Sequence, residues 1–303
     1  INEDSNGNIW VGTSENGLFV INNTYDKLYK KYPLKQVLSI LKDVHGNMWF
    51  GSENSLKKYD PSEERIFSFN LDQATSIITD IVEDKKRNCL WISTFSDEIQ
   101  KDKKIFQLDF NTQRIKALST DIETDFFPTL FLDNLNNLWI GTWGSGLYRG
   151  NDDLQKFEKL DLVYPPNNEK TVNYDIIIDI HNDKDNVLWI ATGLGGIIKL
   201  TEGKGFENLD AVVQNPVLKN NLVILSVYKK NKFWLGTLRN GLFIGDSLAN
   251  VHQVKEIGNR KVLSIYEHNA VFYIGTPDEC FLLTAAGEKL SSIKIPLATS
   301  FLA

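Results

Sequence analysis

The feature that most constrains this chain is a short block built around an aromatic residue, which recurs along its whole length. One copy reads Asn137-Leu138-Trp139-Ile140-Gly141-Thr142, followed after three further residues by Gly146-Leu147. A period of 39 to 50 residues with short apolar runs and Gly turns is typical of a β-propeller. The sequence therefore predicts an all-β, seven-bladed β-propeller with four antiparallel strands per blade. The seven anchors are Trp10, Trp49, Trp91, Trp139, Trp189, Trp234 and Tyr273.

The repeat also bears on the number of domains. A chain of 303 residues could hold two average domains, but the seven copies account for nearly all of it. Its hydrophobic content of 42% is enough to bury a substantial core. We therefore expect residues 1–303 to form a single propeller domain, excised from a longer multidomain protein.

Charge and composition argue against several classes of partner. The formal net charge is -6, so no basic field attracts phosphate backbones, and nucleic acid is not expected as a partner. No run of 18 apolar residues occurs, which argues against a membrane-spanning helix. Cys89 and Cys280 have no metal-like or redox-like spacing and are expected to be inert. His45, His181 and His268 belong to separate repeats, so neither a metal site nor a cofactor is expected.

Repeat two illustrates the expected strand pattern. Residues 37–41 are predicted as the innermost strand and residues 43–47 as a tight turn, in which Asp43 caps its own backbone and Gly46 takes a positive φ. Residues 48–51, 56–59 and 66–69 are predicted as the second, third and outermost strands. We expect each anchor to pack between neighbouring blades, and the Gly that follows to leave room for the next blade.

The two ends of the chain predict how the propeller closes. Residues 301–303 followed by residues 1–4 match residues 37–43 in register. We expect the C-terminal tail to form the start of blade one, which would leave no open sheet edge. The alternative is that the tail begins an eighth repeat that leads to more protein.

The repeat resembles that of the two-component regulator propeller family. The resemblance is carried by the pattern Asp-x-x-Gly-Asn-[Leu/Ile/Met]-Trp-[Ile/Val/Phe]-Gly-Thr-x-x-x-Gly-Leu, which is complete in residues 4–18 and nearly complete in 43–56 and 133–147. The resemblance implies an extracytoplasmic, periplasmic sensor of a membrane-spanning hybrid histidine kinase of the Bacteroidetes type. It further implies an oligosaccharide ligand, with a second propeller and further domains in the same polypeptide and a possible homodimer. Any kinase activity would lie in domains absent from these residues.

The loops that follow each Gly-Thr, together with the entries between blades, are expected to share one face and to bind a ligand. Trp143 is the leading candidate, because it lies off the structural register and could stack on a sugar ring. The alternative is that it caps the channel mouth. Arg239 could bind an acidic sugar through bidentate hydrogen bonds, or be a solvated Arg paired with a nearby acid. The other candidates are Tyr174, Arg260, Phe95, Asp97 and Asp278, with Asp125 and Phe126 beside them at the blade entries.

Three functions fit these observations. The sensor hypothesis follows from the repeat and its resemblance. An alternative is a glycan lyase or hydrolase, since propellers host both, although neither a Gly-x-Ser-x-Gly elbow nor a His-Glu-x-x-His helix is present. The third is a protein-docking or dimerisation module. We expect these residues to be non-catalytic.

Overall fold

The computed structural model describes most of the chain, as seven antiparallel sheets of four strands. In every sheet the strands are hydrogen-bonded in chain order, from the first to the fourth. The described part contains no α-helix, and the fold is the seven-bladed β-propeller that the repeat predicts. The described residues are 1–22, 24, 28–52, 55–71, 77–95, 105–124, 126–162, 175–183, 185–193, 196–201, 205–208, 223–228 and 232–295, with only the backbone for 196, 205–208 and 223–228.

Blades one to three contain twelve strands. Blade one consists of β1 (Asn2–Glu3), β2 (Ile9–Gly12), β3 (Leu18–Ile21) and β4 (Leu28–Tyr32). Blade two consists of β5 (Ile40–Lys42), β6 (Met48–Ser52), β7 (Ser55–Asp60) and β8 (Arg65–Asn70). Blade three consists of β9 (Ile77–Asp84), β10 (Cys89–Phe95), β11 (Ile105–Asp109) and β12 (Ile115–Leu118).

Blades four to seven repeat the arrangement. Blade four consists of β13 (Thr129–Leu132), β14 (Leu138–Gly141), β15 (Leu147–Gly150) and β16 (Phe157–Leu160). Blade five consists of β17 (Ile177–Asn182), β18 (Leu188–Thr192), β19 (Gly196–Thr201) and β20 (Gly205–Asn208). Blade six consists of β21 (Val223–Tyr228), β22 (Lys232–Thr237), β23 (Leu242–Ser247) and β24 (Asn250–Gln253). Blade seven consists of β25 (Ser264–His268), β26 (Val271–Gly275), β27 (Glu279–Thr284) and β28 (Lys289–Lys294).

The hairpin turn of blade two forms as predicted. Oδ1 of Asp43 accepts the backbone N–H of His45 and of Asn47, both at 2.9 Å. Gly46 has a φ of 82°, which a side chain would resist. The short turn therefore gives β6 a defined starting point, from which the anchor Trp49 follows two residues later.

The same aspartate has a second role that the sequence reasoning missed. Oδ2 of Asp43 accepts the indole N–H of Trp49 at 2.7 Å, so the turn and the anchor are held together through one buried carboxylate. This charge-assisted bond satisfies an indole donor that would otherwise be buried unpaired. The equivalent pairs are Asp4–Trp10 at 2.9 Å, Asp84–Trp91 at 3.0 Å, Asp133–Trp139 at 2.9 Å and Asp183–Trp189 at 3.0 Å.

Blade six departs from this pattern. The position six residues before Trp234 is occupied by Tyr228 rather than Asp. Within the described part of the chain, the buried Trp234 indole N–H has no hydrogen-bond partner. The ring instead stacks on Phe272 of the next blade, with centroids 3.7 Å apart and planes at 7°. Packing alone therefore holds this anchor among the residues described.

The anchors pack against the following blade, as predicted. Trp10 of blade one lies 4.9 Å from the ring of Tyr59 in blade two. Trp189 of blade five lies 4.9 Å from Phe233 in blade six, edge to face. The apolar core is therefore divided into layers between successive sheets, each centred on one large aromatic ring.

In blades one, two, four and six, the Gly after the anchor lies close against the next blade, also as predicted. A Cβ on Gly12 would lie 2.5 Å from Val37 Cγ1, and one on Gly236 would lie 2.4 Å from Val262 Cγ1. Val37 and Val262 also donate their N–H to the carbonyls of Thr13 and Thr237, each at 2.9 Å. These two Gly-Thr pairs therefore form joints between blades, in which the Gly leaves room for the neighbouring side chain and the Thr carbonyl accepts a hydrogen bond from the neighbouring backbone.

This joint explains where one predicted strand was wrong. Residues 37–41 were predicted as the inner strand of blade two, but β5 begins at Ile40. The N–H of Val37 bonds to blade one instead of to its own sheet. The predicted tail closure cannot be compared in the same way, because residues 296–303 lie outside the described residues.

The chain falls into two compact units. The first comprises Ile1–Ser119, Gly275–Leu282 and Leu290–Ala303, and its apolar clusters form around Trp10 and Trp49. The second comprises Thr120–Ile274 and Leu283–Lys289, and its clusters form around Trp139 and Trp189. Trp143, Arg239 and Arg260 lie in the second unit.

Candidate functional site

The loop that carries Trp143 is held closed by the threonine of the repeat. Oγ1 of Thr142 donates to the carbonyl of Gly146 at 2.6 Å and accepts the N–H of Ser145 at 3.1 Å. The pairs Thr13–Gly17 and Thr237–Gly241 form the same clamp in blades one and six. Sequence reasoning assigned no role to this threonine, although the repeated Thr-x-x-x-Gly spacing was a visible signal.

Trp143 lies between two chain segments that enter neighbouring blades. Its N–H donates to the carbonyl of Phe126 at 3.0 Å, and its own carbonyl accepts Oγ1 of Thr124 at 3.1 Å. On the other side it forms an isolated antiparallel bridge with Ile176. The backbone of Trp143 is therefore fixed on both sides, independently of any ligand.

The side chain of Trp143 stacks on that of Phe126. The ring centroids are 4.9 Å apart and the planes meet at 22°. Both residues are half-buried, so each retains part of its surface in solvent. Ligand binding and capping of the channel mouth both stay predictions for Trp143, whose ring packs on a neighbour and is partly exposed. We call this pair the Trp143–Phe126 platform.

Acidic residues border the platform. Oγ of Ser145 donates to the carbonyl of Glu123, and the carbonyl of Asp175 accepts the N–H of Gly144 at 3.0 Å and of Gly146 at 2.8 Å. Glu123 is exposed and Asp175 is half-buried. A Cβ on Gly146 would lie 3.5 Å from Oδ1 of Asp175, so this carboxylate faces the loop.

The pKa of Tyr148 reflects the negative charge of this region. Burial raises the pKa of its hydroxyl, and the carboxylates of Asp121, Asp175 and Glu123 raise it further. Three negative charges therefore lie around one hydroxyl. The neighbouring cation is Lys159, whose Cε would be 3.5 Å from a Cβ on Gly146.

The two candidate arginines lie on adjacent segments of blade six and its exit. Arg239 is exposed, on the loop between β22 and β23. Arg260 donates from Nη1 to the carbonyl of Ile257 at 2.9 Å, so its guanidinium stabilises its own turn. Nε2 of Gln253 joins the two segments, because it donates to the Asn240 carbonyl and to Oδ1 of Asn259.

The remaining candidates are dispersed. Oδ1 of Asp278, an exposed residue, accepts Oγ1 of Thr276 at 3.1 Å. Phe95 ends β10 in a half-buried position. Tyr174, Asp97 and Asp125 lie outside the described residues. Of the candidates that can be compared, the structure brings together Trp143 and Phe126.

The cysteines and the possible metal ligands among the described residues do not form a further candidate site. Cys89 and Cys280 are free and buried, and burial raises their thiol pKa to about 11 and about 12 respectively. In the ranges described, no group of three or more His, Cys, Asp and Glu side chains is arranged to hold a metal ion. The same part of the chain offers no apolar helix of membrane-spanning length.

Comparison with known proteins supports the repeat and the fold. The sequence model of the family described as two component regulator propeller matches residues 1–15, which confirms the resemblance carried by the repeat. No curated protein matches the chain.

Solved structures of similar fold come from different functional classes. The extracellular domain named for hybrid two component system BT4673 from B. thetaiotaomicron is 19% identical, with a TM-score of 0.69 over 91% of this chain. This chain covers 38% of that one. Virginiamycin B lyase from Staphylococcus aureus is 14% identical, with a TM-score of 0.72 over 91% of this chain and 90% of the lyase. At such identities these similarities show the fold alone.

Proposed function

We propose that this chain, which carries the two-component regulator propeller repeat, is a ligand-sensing propeller of the extracytoplasmic part of a hybrid two-component system. The match of the family to residues 1–15 carries this proposal. The similarity in fold to an extracellular domain of a protein named for such a system supports it. A second propeller and an output domain would then belong to the same polypeptide, with a homodimer as a further possible assembly.

The proposed ligand is an oligosaccharide, bound at the Trp143–Phe126 platform. Aromatic rings with one accessible face suit sugars, because the ring C–H groups of a sugar form a flat apolar surface. The backbone of Trp143 is held by its N–H bond to the Phe126 carbonyl and by the Thr124 hydroxyl, so little ordering is required on binding. This chain would bind the sugar without cleaving it.

A second candidate function is glycan cleavage. It is favoured by the lyase of similar fold, of which this chain covers 90%. Cleavage needs an acid and a base that converge on the scissile bond. Among the described residues, the carboxylates of Asp121, Glu123 and Asp175 near Tyr148 could supply such a pair.

A binding screen with product analysis separates these functions. The expected result is that an oligosaccharide raises the melting temperature of the chain, since a ligand at a hundred times its Kd stabilises by about 2.7 kcal/mol. Chromatography should recover the sugar intact. Recovery of shortened oligosaccharide would instead establish cleavage. A panel without any thermal shift, together with a concentration-dependent dimer, would favour docking and contradict the sensor proposal.

Two variants locate the site. Trp143→Ala should abolish the ligand-induced shift, because it removes the accessible face of the platform. Tyr29→Ala is the matched control, since Tyr29 is an aromatic residue 67% exposed on the outer strand β4. The control should keep the full shift. Loss of the shift in both variants would contradict a site at the platform.

A further inference from the structure

From the charges around the Trp143–Phe126 platform, we infer that its ligand is a cationic amino sugar, an oligosaccharide with free ammonium groups rather than an acidic or N-acetylated one. This inference rests on the proposed oligosaccharide-binding function and specifies the class of sugar. It differs from the expectation that Arg239 would select an acidic sugar.

The first step is the accessibility of the platform. Gly144 follows Trp143 directly, is exposed, and has a φ of 100°. A Cβ placed on it would have no atom within 4 Å, so the space beside the loop is open. The next residue, Ser145, is small and directs its hydroxyl to the Glu123 carbonyl. The loop therefore leaves open space directly beside Trp143, where a sugar ring could be accommodated.

The second step is the sign of the electrostatic potential around the platform. The segment on one side of the loop carries Asp121 and Glu123, both exposed, and the segment on the other side carries Asp175. Lys159 opposes these three carboxylates, which leaves the described border of the platform negative. A carboxylate or sulfate on a ligand would be repelled there, whereas an ammonium group would be attracted.

The third step is that the aromatic ring and the negative charge around it both favour an ammonium group. An ammonium group above an aromatic face is attracted by the ring quadrupole, and Trp provides the strongest such interaction. A glucosamine unit combines an apolar ring face with an ammonium group on the same ring. Acetylation removes the charge while it keeps the ring, so the two forms provide a matched pair of probes.

The test is isothermal titration calorimetry with four tetrasaccharides of similar size. They are a glucosamine oligomer, its N-acetylated form, a neutral glucose oligomer and a galacturonate oligomer, at a pH below the pKa of the sugar amine. The glucosamine oligomer should bind at least about tenfold more tightly than the N-acetylated form, which corresponds to a few exposed charge pairs. This preference should shrink as salt is added.

Three variants assign the contributions. Trp143→Ala should lose binding of the glucosamine oligomer. The double variant Asp121→Asn/Glu123→Gln should bring its affinity to within about threefold of that for the N-acetylated form, because it removes two charges. The control Asp152→Asn/Asp153→Asn makes the same change in charge at an exposed turn between β15 and β16, and should keep the preference. Melting curves establish that each variant is folded.

Each outcome decides the inference. Equal or tighter binding of the N-acetylated, neutral or acidic tetrasaccharide would overturn the cationic assignment and leave the oligosaccharide sensor proposal intact. Binding of the glucosamine oligomer that survives Trp143→Ala would overturn the platform as its site. If none of the four probes binds, the inference fails, and the broad glycan screen then decides whether the proposed function fails with it.

Discussion

In five blades, the aspartate at the start of the hairpin turn uses its two carboxylate oxygens for different purposes. Oδ1 of Asp133 accepts turn N–H groups, and Oδ2 accepts the indole of Trp139. The turn could be predicted because Asp and Gly have known local preferences. The contact with the indole could not be read from those preferences, since it joins two elements. The regular separation of six residues between the two in four repeats was the available signal.

Comparison of two anchors should isolate the contribution of this hydrogen bond to the free energy of unfolding. Trp139→Phe removes an indole that donates to Asp133 at 2.9 Å, whereas Trp234→Phe removes one without a described partner. Both side chains are buried, so the losses of apolar area are similar. We expect Trp139→Phe to be more destabilising by about 1.5–3 kcal/mol, the usual value of a hydrogen bond to a charged group. Urea denaturation measures the difference. Equal losses would contradict a stabilising role for the bond.

Glu83 provides a pH-dependent test at the same hairpin turns. Burial raises the pKa of its carboxyl, against the effect of the Val44 N–H that it accepts at 3.1 Å. Nearby Asp43 also raises this pKa, while Lys85 and His45 lower it. A raised pKa means that ionisation is less favourable in the folded state. This contribution therefore destabilises the fold as pH rises from the unfolded pKa, about 4.3, through the raised folded pKa.

The variant Glu83→Gln should reveal this effect in melting temperatures. Gln keeps an oxygen acceptor for Val44 but does not ionise. We expect the variant to melt higher than the parent above the folded pKa of Glu83, and the difference to disappear below the unfolded pKa. A difference that is the same at all pH values would show that ionisation of Glu83 is not its cause.

Blades are joined by the close approach of a glycine to the first residues of the next blade. The repeat predicted this, because a Gly recurs directly after the apolar residue that follows five of the seven anchors. It did not predict that the inner strand of blade two begins at Ile40. The N–H of Val37 donates to a carbonyl in blade one. Such a contact between blades cannot be predicted from the local alternation of apolar and polar residues.

Gly51→Ala should test the joint between blades two and three. Its Cβ would lie 2.5 Å from Cβ of Ile78, a contact that only movement of the blades can relieve. We expect a loss of about 1–3 kcal/mol, typical of overpacking. The double variant Gly51→Ala/Ile78→Gly should be less destabilised than the sum of the two single variants, because glycine at position 78 removes the Cβ that causes the clash. Strict additivity would contradict the proposed steric cause.

The repeat in the sequence predicted only part of the candidate site. Trp143 stood out because it is the one Trp outside the repeat register. Phe126 was identified only as a residue at a blade entry, and its stacking on Trp143 joins two loops that have no repeating relation. The acidic border likewise combines Glu123 and Asp175 from the entries of different blades. Side chains that meet through loop geometry therefore required the structure.

For the molecule as a whole, seven copies of one motif predicted seven sheets with the correct strand order. The closure by the C-terminal tail stays a prediction. Deletion of residues 297–303 should lower the melting temperature, since it would leave the inner edge of blade one without its partner. An unchanged melting temperature would favour the alternative, in which the tail leads to further protein.

The threonine clamp has a consequence for engineering and for divergence. It uses the hydroxyl of Thr142 and backbone atoms of the loop, so it does not require the indole of Trp143. Blade one has the same clamp around Ser14, Glu15 and Asn16. Loop side chains can therefore be exchanged between these two blades, while the hydrogen bonds of the threonine keep the loop geometry.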